Sequence, residues 1–110
     1  MAFDALENAV QLAKALRAAL ETIRRHDRGL ADQVKRATSS VALNLSEGNR
    51  RAGRDRLHSF RIASGSAAEV RTALDLALAW GYLDAESYAP ATELLDRELA
   101  MLYRLTHPRR

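Results

Sequence analysis

Apolar residues recur at three- and four-residue steps through almost the whole chain, and only short breaks interrupt them. That period fits the turn of an α-helix, not the two-residue alternation of a half-buried strand. The residue types agree. Ala and Leu make up 38 of the 110 residues, Val and Ile six, and aromatic residues 5%. Helix formers dominate and strand formers are scarce. An all-α fold is expected, as one domain over residues 1–110. The chain has no cysteine. That removes disulfide scaffolds, thiol catalysis and thiolate zinc sites.

Four helices can be read. The first, roughly Asp4 to Arg25, carries Phe3, Leu6, Val10, Ala13, Leu16 or Leu20, and Ile23 at helical spacing. Asp4 is its expected N-cap, with Glu7 three residues later. The second, roughly Leu30 to Glu47, carries Leu30, Val34, Ala37, Val41 and Leu45, and Gly48 is expected to end it as a C′ residue. The longest break, Gly48 to Arg54, holds two glycines and three arginines. The third runs roughly from Asp55 to Trp80 and ends at Gly81. The fourth follows Tyr82-Leu83, reaches about Thr106 and carries Ala91, Leu95, Leu99, Leu102 and Leu105. Capped by Ser87, it holds Pro90 comfortably in its first turn; capped by Asp84, it should kink at Pro90. The tail His107-Pro108-Arg109-Arg110 is expected to fray. Helices of this length with short turns predict an antiparallel up-down-up-down four-helix bundle.

The third helix has two apolar faces. At 100° per residue, Leu57, Phe60, Ala63, Ala67, Val70, Leu74 and Leu78 fall on one side. Ile62, Gly65, Ala73, Leu76 and Trp80 fall on the other. One face fills the bundle core and the other calls for a partner. The run Ala63-Ser64-Gly65-Ser66-Ala67-Ala68 would let another helix approach closely. It either fills a tight spot inside one bundle or packs against another subunit. Ile62, Gly65, Ser66, Glu69, Ala73 and Trp80 are the candidate subunit-contact residues.

The net charge of +3 conceals an uneven distribution: Arg24 to Arg61 carries +6 and the remainder −3. Its cations are Arg24, Arg25, Arg28, Lys35, Arg36, Arg50, Arg51, Arg54, Arg56 and Arg61. Nine of these ten are Arg, which suits bidentate phosphate contacts. They are the candidate nucleic-acid-binding residues. With little aromatic interleaving, base stacking is not expected. The bland alternative is a solvated, salt-bridged surface. No signal peptide is expected from the opening residues, and the longest apolar stretch, near Leu74 to Trp80, is broken by Asp75. Cytoplasmic location is expected, with no membrane partner.

Gln33, Arg36, Ser40, Asn44 and Glu47 share one face of the second helix beside its apolar stripe. Partly buried polar groups must find partners. Ser64, Ser66 and Glu69 are the candidates, and Arg36 with Glu47 or Glu69 would close an ion-paired structural network.

The stretch from Gln33 to Glu69 resembles the small bacterial four-helix-bundle protein family, also called the 23S rRNA-intervening-sequence protein family. Its first signature stands here as Gln33, Arg36-Ala37, Ser40 and Asn44-Leu45-Ser46-Glu47-Gly48, followed by Arg50 and Arg51. Its second stands as Phe60, Ala63-Ser64-Gly65-Ser66 and Glu69, and Gly81-Tyr82 matches its last turn. Leu45 replaces Ile, Ser46 replaces Ala, and Ala42 stands where Pro is common. The resemblance implies a bundle that assembles into rings, commonly pentamers. A related branch, the accessory proteins of diversity-generating retroelements, implies a basic pentamer that binds a reverse transcriptase and its RNA template.

Enzyme signals are weak. His26, His58 and His107 have no metal-ligand spacing, and no cofactor or metal is expected. Gly48 to Gly53 imitates a phosphate loop but is followed by Arg54-Asp55 in place of Lys and Ser or Thr. No nucleophile elbow or Glu-x-x-His motif appears, and Asp96 and Glu98 do not share a helix face. The expectation is a non-enzymatic homo-oligomer that binds RNA or DNA backbone as an accessory protein. The alternative is a protein-interaction scaffold with no physiological nucleic-acid binding.

Overall fold

A computed structural model describes residues 2–108. It contains four α-helices: α1 (Ala2–His26), α2 (Arg28–Asn49), α3 (Gly53–Ala79) and α4 (Ala85–Thr106). There is no strand among the described residues. Each helix packs on two others, α1 and α3 both lying between α2 and α4. The body measures 44 × 21 × 19 Å.

The turns follow from a few residues. Asp27 alone joins α1 to α2, and its carboxylate accepts a hydrogen bond from the Leu30 amide at 3.0 Å. That satisfies one of the amides left open at a helix start. Gly81 has φ of +78°, which a side chain disfavours. Beside it the Tyr82 amide donates to the Ala77 carbonyl at 2.8 Å and the Gly81 amide to Leu78 at 3.1 Å. This double bond pattern is a Schellman stop for α3. His26 stacks on Tyr82 with ring centroids 5.1 Å apart, which brings the α1–α2 and α3–α4 turns together. Asp84 caps α4 by accepting from the Ser87 amide at 2.8 Å. With Asp84 as the cap, Pro90 sits inside the helix, and α4 continues through it to Thr106.

Several sequence expectations change. α1 already includes Ala2, so Asp4 lies in its first turn and is not the cap. Its inner stripe is Ala2, Ala5, Ala9, Leu12, Leu16, Ala19 and Ile23, while Phe3 and Val10 are exposed. The small alanines face inward. Gly48 does not end α2. It lies buried within the helix, and a Cβ there would collide with the Phe60 ring. Its role is close packing. In α3 the inner stripe runs Phe60, Ala63, Ala67, Val70, Leu74 and Ala77. Ala73 falls three residues after Val70 and four before Ala77, so it is buried in the core rather than on the outer face. Leu78, one residue past Ala77, turns outward. In the tail, the His107 ring stacks on Tyr103 with centroids 4.0 Å apart. Arg109 and Arg110 lie outside the described residues.

Candidate nucleic-acid interface

The cations fall mainly at the two ends of α2. Arg24, Arg25 and Arg28 flank Asp27 at its start, and Arg50, Arg51, Arg54 and Arg56 surround its end. At 1.5 Å per residue the two groups stand roughly 30 Å apart. Lys35 and Arg36 lie between them on α2, and Arg61 lies on α3. All ten are exposed except Arg56, which is half-buried. The single basic stretch of the sequence is therefore two separated basic ends with a thinner band between.

Part of that charge is neutralised. Arg24 pairs with Asp32 at 2.9 Å, and Lys35 shares a groove with Arg17, Arg24 and Glu21. Arg51 pairs with Glu47 at 2.8 Å and approaches Asp55 at 3.8 Å, and its bonds to Glu47 hold its pKa above the usual arginine value. Arg56 lies over the Phe60 ring at 5.0 Å from its centroid. Arg25, Arg28, Lys35, Arg36, Arg50, Arg54, Arg56 and Arg61 make no ion pair among the described residues. Exposed pairs such as Arg24–Asp32 are worth little in water and can open to a phosphate.

The polar stripe of α2 is only partly drawn into contacts. Ser40 and Ser66 share a hydrogen bond of 2.8 Å between α2 and α3. The Asn44 side-chain amide donates to the Ser40 carbonyl at 2.9 Å and to its hydroxyl at 3.1 Å. Gln33 and Arg36 are exposed. Arg36 and Glu47 are three helical turns apart, about 16 Å, so that pair does not form. Glu47 instead takes Arg51, four residues on, where helical neighbours meet. Glu69 is exposed and makes no ion pair with Arg36 among the described residues.

On the outer face of α3, Ile62 is 41%, Leu76 44% and Trp80 69% exposed. Gly65 and Glu69 are exposed and Ser66 is half-buried. A Cβ on Gly65 would meet nothing within 4 Å.

One buried group escapes a reading based on face-sharing acids. Glu98 is fully buried in α4. The Asn8 side-chain amide donates to Glu98 Oε1 at 2.8 Å, and Oε2 has no partner. Burial lifts its pKa to about 7, and the Asn8 bond opposes the rise. The signal was available: Glu98 stands three residues after Leu95 and four before Leu102, inside the apolar stripe. Arg71 on α3 pairs with Asp96 on α4, and the Tyr88 hydroxyl donates to Asp75 at 2.5 Å, so these groups tie helices together. No group of three metal-ligating side chains occurs among the described residues, and no helix is long and apolar enough to cross a membrane.

The model of a family described as 23S rRNA-intervening sequence protein matches residues 1–104. Among solved structures, the chain is similar to a protein of unknown function from the S23 ribosomal protein family of Bacteroides thetaiotaomicron. They share 17% identity at a TM-score of 0.86, over 94% of this chain and 99% of that one. At that identity the likeness concerns the fold. No curated protein matches.

Proposed function

The chain belongs to the 23S rRNA-intervening sequence protein family, and from that premise we propose that it is a non-enzymatic accessory protein that binds nucleic-acid backbone as a homo-oligomeric ring. The observation that carries this reading is the set of exposed arginines at both ends of α2, most of them without an acidic partner among the described residues. Arginine forks match phosphate oxygens, and repeating the set around a ring multiplies the attraction. Two contacts support an up-down-up-down order: Ser40 with Ser66 and Gly48 with Phe60 are paired as expected for α2 and α3 running in opposite directions.

A pentamer is the assembly proposed, with the Ile62, Leu76 and Trp80 face of α3 against a neighbouring subunit. The proposed location is the cytoplasm. A reverse transcriptase is a candidate protein partner. The same apolar face also supports the second reading, a scaffold that docks another protein and has no physiological affinity for nucleic acid.

Paired alanine variants separate these readings. Arg25→Ala with Arg28→Ala, or Arg50→Ala with Arg54→Ala, should each weaken binding to RNA and duplex DNA alike, since phosphate contacts carry no sequence information. Unchanged affinity in both pairs would favour the scaffold.

A further inference from the structure

The start of α3 and the last turn of α4 enclose an open cleft of about 790 Å³. Its walls include Arg56, Leu57, Phe60, Tyr103, Arg104 and His107, and no lining residue is acidic. Phe60 is buried and forms a floor, with Arg56 laid over its ring. Tyr103 is 62% exposed. The His107 ring stacks on it and is fixed by its Nδ1, 2.9 Å from the Tyr103 carbonyl. Since a carbonyl only accepts, Nδ1 carries the hydrogen. The pair is a two-ring aromatic stack with its outer ring faces open, beside two guanidinium groups. Arg56 and Arg104 make no ion pair among the described residues, and Arg54 stands on the same turn.

We propose that this cleft binds one nucleotide unit of a single-stranded nucleic acid, with the base stacked on the Tyr103–His107 platform and the adjoining phosphates held by Arg56 and Arg104. The inference rests on the nucleic-acid reading above and deepens it. Stacking needs an unpaired base, because a duplex hides base faces. An acidic peptide would answer the arginines but not the exposed ring faces. The sequence shows little aromatic interleaving, and the fold supplies it by bringing Tyr103 and His107 to arginines nearly fifty positions away.

The test compares a single-stranded oligonucleotide with a duplex of the same length, at fixed salt, on the full chain. Tyr103→Leu keeps an apolar side chain at an exposed position and removes the ring. It should weaken single-strand binding about tenfold and leave duplex binding unchanged. Tyr103→Phe should bind both as the wild type does. Arg104→Ala should lower the salt slope for the single strand by about one ion. If Tyr103→Leu binds the single strand as tightly as the wild type, the cleft proposal falls while the general reading stands. A polyglutamate peptide that displaces the oligonucleotide more strongly than an unlabelled oligonucleotide does also overturns it. Failure of the wild type to bind either probe at low salt removes both.

Discussion

Glu98 is the residue whose chemistry departs most from its sequence setting. A carboxylic acid with no exposed surface and one partner is better held neutral than charged. Its pKa rises from 4.5 toward about 7, so between those values the folded chain binds more protons at this site than the unfolded chain. Stability therefore falls as pH rises through that window and levels off above it. At about 1.4 kcal/mol per pKa unit, the loss is about 3 kcal/mol. Glu98→Gln should therefore raise unfolding stability by about 2 kcal/mol at pH well above the window and change it little below. Urea titrations on both sides of the window check this; a gain that is the same at both would contradict a neutral Glu98. Gly48 makes a second demand at this scale. A methyl group there must displace the buried Phe60 ring. Overpacking of that kind costs about 1–3 kcal/mol, against a gain in helix propensity of about 1. Gly48→Ala is expected to lower the denaturation midpoint, and a raised midpoint would mean that the ring moves aside freely.

At the scale of the helices, the inner stripe of α2 was legible from Val34, Ala37, Val41 and Leu45, which are buried, while Leu30 is only half-buried and Ala31 beside it takes the inner place. α1 offered two competing stripes, and the larger side chains of Phe3 and Val10 pointed to the wrong one. What decides is the separation between helices, which the periodicity of one segment does not contain. Gly48 misled for the same reason: a glycine near a helix end reads as a stop, and its packing partner lies on another helix. The basic residues were legible by type, but their division between the ends of α2 needed the helix bounds. The cleft at Tyr103 depends on how α3 meets α4, so no local pattern carried it. Gly65 permits a test at this scale. In a lone chain, Gly65→Ala meets nothing and should stabilise α3 by about 0.5–1 kcal/mol. If a second copy packs against that face, the same change should lower the apparent mass in sedimentation while leaving helicity intact. An unchanged mass with the stability raised by that amount would remove Gly65 from any contact between copies.

As a whole molecule, the chain combines a buried alanine- and leucine-rich core with charge displaced to the ends of its second helix. A ring of five 12.2 kDa chains would have a mass near 61 kDa and carry every arginine group five times. Such a body should hold nucleic acid mainly through released counterions, and its affinity should depend steeply on salt. The most direct measurement is the affinity of the wild-type chain for RNA across a series of salt concentrations. Log affinity should fall linearly with log salt, with a slope of several ions per complex and measurable binding near physiological salt. A slope near zero, or no binding at physiological salt, would contradict it.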